Sequence, residues 1–172
     1  GCTLAQYMQR QNSIIPLDMA EVIIISVAKS MSKIHRLGLL HRDISPDNIM
    51  VMEDGSTKLL DFGAAREISQ TDIKSLSVIL KPGYAPEEQY RSKGRQGPWT
   101  DVYALAATLY KCIVGATPDD AMERMYRDRL PSPAAADAAC PIAISNVIIK
   151  GLAVRQADRY QDCLLYTSPS PR

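Results

Sequence analysis

Two aspartates and an asparagine at fixed spacing constrain this chain more than any other feature. Asp43 stands five residues before Asn48 in His41-Arg42-Asp43-Ile44-Ser45-Pro46-Asp47-Asn48, and Asp61 begins Asp61-Phe62-Gly63. Between them, residues 49–52 and 57–60 flank Glu53-Asp54-Gly55-Ser56, a Gly-containing loop that predicts a β hairpin. The hairpin carries Asn48 at its entry and Asp61 at its exit. One carboxylate is thereby placed to take a proton from a hydroxyl, while an amide oxygen and a second carboxylate suit a hard cation such as Mg²⁺. Each feature alone reads equally as a capped loop or a turn aspartate, but the three in order do not.

These residues resemble the catalytic loop and metal-binding motif of the eukaryotic-like protein kinases. Pro86-Glu87 after Tyr84-Ala85 resembles the family's Ala-Pro-Glu motif, and the wording of both stretches is similar to that of the bacterial Ser/Thr kinases. The resemblance runs from about Thr3 to Asp162 and implies an α+β, mainly helical fold. That fold is the large, C-terminal lobe of a protein kinase, with a small β hairpin at the catalytic cleft. The implied activity is transfer of the γ-phosphate of ATP to Ser or Thr hydroxyls of protein substrates, with ATP and Mg²⁺ as cofactors.

Carried over residue by residue, the resemblance makes Asp43 the catalytic base and Asn48 and Asp61 the metal ligands. It gives His41 the task of organising the loop and Phe62, which precedes Gly63. Arg42 is expected to read a phosphate on the activation segment, where Ser69, Thr71, Ser75 and Ser77 are acceptors; Ser75 or Ser77 is the expected activating site. Glu87 and Arg159 match a buried structural ion pair, and Asp101 matches a carboxylate that braces the His-Arg-Asp turn. Two departures stand out. The lysine usual two residues after the catalytic aspartate is Ser45, and the threonine usual before Ala-Pro-Glu is Lys81, in a segment that reads one residue short. The two together look like one exchange, in which Lys81 beside Ser45 supplies the catalytic positive charge from the opposite side.

Elsewhere, Thr3 to Met8 reads as a short helix, and Asp18-x-x-Glu21 has the form of a capping box opening a helix through Leu37. Its run Val22-Ile23-Ile24-Ile25 is apolar nearly all round, as in a buried central helix. Thr100 is expected to cap a second buried helix from Asp101 to about Val114, stopped by Gly115. Residues 119–127 read as an amphipathic helix, Pro141 opens another, and Arg159-Tyr160 begins a last one. His35 is expected to be a packing residue.

A net charge of +1 gives no global attraction to nucleic acid, and no apolar stretch approaches the ~20 residues that span a bilayer. Four cysteines in no metal-ligand spacing are expected to be free thiols in a reducing cytoplasm, with the parent protein free to carry a membrane anchor. Gly1 in place of Met, and the lack of a Gly-rich phosphate loop, lead to the expectation that residues 1–162 are a partial kinase domain without its small lobe. Residues 163–172, an abrupt Ser/Pro-rich end, are read as a sequencing-adapter scar. Two other functions compete. A pseudokinase, binding nucleotide or acting as a scaffold, draws support from Ser45 alone. A small-molecule phosphotransferase of the aminoglycoside or choline type shares the Asp–Asn spacing but not the long Ser/Thr-bearing segment.

Overall fold

The structure, a computed structural model, describes residues 1–61, 66–67, 80–136 and 139–163. Its elements run β1 (Cys2–Thr3), α1 (Leu4–Arg10), α2 (Leu17–Arg36), β2 (Leu39–Leu40), β3 (Ile49–Val51), β4 (Thr57–Leu59) and β5 (Arg66–Glu67). They continue with α3 (Glu87–Tyr90), α4 (Pro98–Val114), α5 (Ala121–Tyr126) and α6 (Ile142–Gly151). The architecture is mainly helical with small antiparallel sheets, as the motifs implied. One sheet has the order β1-β3-β4 and the other pairs β2 with β5. The expected hairpin is β3–β4, with Ile49 opposite Leu59 and Val51 opposite Thr57.

Helix α4 is the axis of the fold. Every residue from Thr100 to Tyr110 is buried, and α2 and α6 pack on it. Small residues, Ala104, Ala106 and Ala107, let neighbours approach closely, while Leu105, Leu109, Tyr103 and Tyr110 fill the space between. Thr100 does not cap this helix. The helix opens earlier, with Pro98 at its first turn and Gly97 at the cap, and the Thr100 hydroxyl accepts from the Gly97 N–H at 3.2 Å.

Helix α2 is not apolar all round. Its buried face is a single stripe, Ala20, Ile23, Ile24, Val27, Ala28, Met31 and His35, while Val22 on the other side is 64 % exposed. Nor does Asp18 cap it. Pro16 is the cap residue, and Asp18 accepts from the neighbouring Met19 N–H. Helix α1 does carry a capping box, in which Thr3 and Gln6 exchange backbone and side-chain bonds at 3.1 and 3.2 Å. In place of a helix beginning at Arg159 there is a 3₁₀ turn, Gln156–Asp158, that ends there.

All four cysteines are free, and burial pushes the Cys112 thiol up to about 12. Cys163, the first of the ten residues set apart on sequence grounds, is buried in the core. No described helix is long and apolar enough to cross a membrane.

Gly115 ends α4 in the left-handed region, φ +80°, with its N–H bonded to the Lys111 carbonyl at 2.9 Å. A Cβ there would meet Ile14 Cγ1 at 2.9 Å. Gly115→Ala should therefore lower stability by ~1–2 kcal/mol, read as an earlier urea midpoint with an unchanged slope.

Candidate active site

The site is built on a buried carboxylate. Asp101, in the first turns of α4, is fully buried and accepts three hydrogen bonds. Its Oδ2 accepts from the His41 backbone N–H at 3.0 Å and from His35 Nε2 at 2.8 Å, and its Oδ1 from the Arg42 N–H at 2.8 Å. A carboxylate in so dry a place is tolerable only when its lone pairs are filled. The bonds hold Arg42 at φ +67°, a left-handed conformation costly for a residue with a side chain. His41 completes the turn from within. Its Nε2 lies 3.0 Å from the Leu60 carbonyl, which only an N–H can satisfy, leaving Nδ1 to accept from the Asp43 N–H at 3.3 Å.

Asp43 emerges from that turn. The Asn48 amide donates to its carboxylate and to its carbonyl, both at 2.8 Å, so the loop from 43 to 48 is closed on itself. Asn48 sits in a short 3₁₀ turn, Pro46–Asn48, that runs into β3. Its backbone carbonyl accepts from the Leu60 N–H at 2.7 Å, which brings the far end of the hairpin, and Asp61 just beyond, back to the loop. Asp61 is exposed and, like Arg42, left-handed, at φ +57°.

Lys81 arrives from elsewhere in the chain and stands beside Ser45 and Asp43. Its ammonium lies 2.9 Å from the Ser45 hydroxyl and 3.3 Å from Asp43 Oδ1, with Asp47 at 3.9 Å. Ser45 is fully buried, whereas the Lys81 and Asp43 side chains are about a third and a quarter exposed, at 31 % and 26 %. Lys81 is itself held by its backbone: its carbonyl accepts from the Tyr84 and Ala85 N–H groups at 3.1 and 3.0 Å. Gly83 makes that turn possible, since it has φ +83° and a Cβ there would lie 2.5 Å from the Pro118 carbonyl oxygen.

The anticipated partner of Arg159 is wrong by one residue. Arg159 pairs with Glu88, with Nη1 to Oε1 at 2.7 Å and Nη2 to Oε2 at 3.0 Å. Glu87 instead pairs with the half-exposed Arg91 at 2.6 Å. Both glutamates are buried in the first turn of α3, and it is Glu88 that reaches the start of α4. There Thr100 Oγ donates to Glu88 Oε1 at 3.0 Å, and the Arg159 guanidinium lies 4.9 Å from the Tyr103 ring centroid. Counting the segment to Glu88 also supplies the residue it lacked when counted to Glu87.

With the geometry in place, the comparisons with known proteins are decisive for the family. The protein kinase domain matches residues 1–136. The chain belongs to the protein kinase family. It is 32 % identical over 171 residues to the serine/threonine-protein kinase PknL of Mycobacterium tuberculosis, covering 95 % of this chain and 42 % of that protein. It is 30 % identical over 169 residues to the probable serine/threonine-protein kinase PknB of Lactococcus lactis, covering 94 % of this chain and 27 % of PknB. Among solved structures, the apo form of PpkA-294 superposes with a TM-score of 0.79 at 34 % identity, over 96 % of this chain and 58 % of that one. The chain thus spans less than half the length of these curated relatives, and its kinship is with bacterial kinases of the eukaryotic-like Ser/Thr type.

Within this kinase lobe, the structure brings together Asp43, Ser45, Asn48 and Lys81 around the loop, with His41, Arg42 and Asp101 beneath it. Phe62, Gly63, Ser75 and Ser77 lie outside the described residues. The sequence reading missed Glu88, although the doubled Glu87-Glu88 was a visible signal that the register had two solutions. It also passed over Gln89, whose Nε2 donates to the Arg42 carbonyl at 2.8 Å, and gave His35 a packing role without its bond to Asp101. The two glutamates should separate cleanly on substitution. Glu88→Ala strands the buried Arg159 charge and should cost about 3–5 kcal/mol. Glu87→Ala, which loses a partly solvated pair, should cost below ~1 kcal/mol. Chemical denaturation of the two variants side by side checks the assignment.

Proposed function

We propose that the site serves a protein serine/threonine kinase, which moves the γ-phosphoryl group of ATP to the hydroxyl of a Ser or Thr in a protein substrate. The observation that carries this reading is the closed cluster of Asp43, Asn48, Ser45 and Lys81. It offers a carboxylate for the hydroxyl proton and, 3.3 Å away, an ammonium for the developing phosphoryl charge. Asp43 orients the hydroxyl and takes its proton as the oxygen–phosphorus bond forms and the bond to the departing ADP breaks.

Asn48 and Asp61 are the residues that would hold Mg²⁺, and their chemistry fits it. The Asn48 amide hydrogens are turned to Asp43, which leaves the side-chain oxygen as the end for a cation, and Asp61 offers a carboxylate at the exit of the same hairpin. Among the described residues no three His, Cys, Asp or Glu side chains form a metal cluster. A cation held there neutralises charge on the ATP phosphates.

Lys81, with Ser45, takes over the work of the lysine that the loop lacks. Its ammonium reaches Asp43 from the activation segment and not from within the loop, and Ser45 holds it by the hydroxyl. Preorganised charge at that place is worth most where water is excluded. Arg42 serves to read a phosphate on the same segment, with Ser75 or Ser77 as the acceptor.

In a complete kinase domain carrying this chain, Asp43→Asn should abolish transfer of labelled phosphate from Mg·ATP to a generic basic protein. Lys81→Met should lower kcat by about 100-fold. Transfer that survives Asp43→Asn would sink the assignment of the base, and an unaltered turnover in Lys81→Met that of the cation.

A further inference from the structure

The peptide between Arg42 and Asp43 is held at both of its polar ends. Its N–H, that of Asp43, donates to His41 Nδ1 at 3.3 Å, and its C=O accepts from Gln89 Nε2 at 2.8 Å. One residue back, the Arg42 N–H is bound by Asp101 Oδ1 at 2.8 Å. Arg42 has φ +67°, so this stretch of backbone adopts a conformation that its own sequence disfavours. Something outside the loop must hold it. Asp101 does so from α4 and Gln89 from α3.

These two anchors are themselves joined. Glu88, the neighbour of Gln89, is bound by Arg159 at 2.7 and 3.0 Å and by the hydroxyl of Thr100, the neighbour of Asp101, at 3.0 Å. A closed circuit results: Arg159 to Glu88, Glu88 to Thr100, Asp101 to the Arg42 N–H, and the Arg42 carbonyl to Gln89. Gln89 thus links the end of the activation segment to the peptide from which Asp43 projects.

We propose that Gln89 is a positioning residue for phosphoryl transfer, setting the plane of the 42–43 peptide and through it the aim of the Asp43 carboxylate. The proposal rests on Asp43 being the base. The Gln89 amide on this carbonyl, the shorter of the two bonds to the peptide beside His41 Nδ1 on its N–H, fixes a rotation that Asp101, which binds the other side of Arg42, leaves open. A base misaimed by a fraction of an ångström loses rate while the nucleotide, bound elsewhere, keeps its affinity. The signature is therefore a loss in kcat without a matching change in KM for ATP. A residue of purely structural importance would instead show a lowered unfolding midpoint.

The test uses the full-length kinase that carries this chain, with Gln89→Met, which keeps the length but not the donor, and Gln89→Lys, which restores a donor. Gln89→Met should lower kcat by about 10- to 100-fold, with KM for ATP and the unfolding midpoint unchanged. Gln89→Lys should recover most of the loss. Should Gln89→Met not fold, Gln89→Glu replaces it, the same shape with an acceptor facing an acceptor. The proposal is overturned if the donor-less variant keeps its kcat, if KM and the midpoint move with kcat, or if Gln89→Lys is no better than the donor-less variant. Unaltered kcat in Gln89→Met beside an active parent removes Gln89 alone. No transfer by the parent itself removes the kinase reading as well.

Discussion

The candidate site rests on a single buried carboxylate, that of Asp101. It receives the end of α2 through His35, and the start of the loop through the His41 and Arg42 N–H groups. Without it, two backbone donors and a histidine would be buried without partners, at ~1–3 kcal/mol each. The left-handed Arg42 would then have nothing to hold it. The carboxylate in turn depends on α4 being the most deeply enclosed helix, since only a rigid and dry scaffold makes three hydrogen bonds to one side chain worth their desolvation. Core packing and the geometry of the candidate site are thus one problem in this chain, solved at the N-terminal end of one helix.

Above that anchor, the unusual element is where the positive charge comes from. A cation carried by the catalytic loop is present whenever the loop is folded. Lys81 is carried by the segment that leads into α3, so its delivery depends on the backbone turn around Gly83 and on the Glu88–Arg159 pair that fixes the segment's end. Ser45 fits that arrangement. It is short, buried and hydroxylated, and it receives the ammonium at 2.9 Å where a second lysine would repel it.

Much of this could be read from the chain before any coordinates, for identifiable reasons. The hairpin is local, bracketed by Gly55 and two apolar runs, and Gly115 stops α4 where a left-handed residue is needed. The Asp43–Asn48 spacing is local as well, and it closes as a loop through hydrogen bonds over five residues. What escaped was tertiary. His35 and Asp101 are 66 residues apart, and Glu88 and Arg159 are 71 apart. Nothing in the local pattern says which of two adjacent glutamates reaches Arg159. The caps of α2 and α4 are misplaced by their capping signals for a related reason: a proline, Pro16 at the cap of α2 and Pro98 in the first turn of α4, starts each helix earlier than the carboxylate or hydroxyl indicates. The β-branched run in α2 looked buried all round because composition does not show that Val22 faces away from α4.

The central claim is that Lys81 and Ser45 are one catalytic unit, a lysine moved across the site with its partner. Exchanging them back tests it most directly: Ser45→Lys combined with Lys81→Thr, beside Lys81→Thr alone, in a complete kinase domain carrying this chain. The account predicts that Lys81→Thr alone loses about 100-fold in kcat and that the double variant regains most of it, because the charge returns to the phosphoryl from the loop. A double variant as slow as the single one would contradict the account.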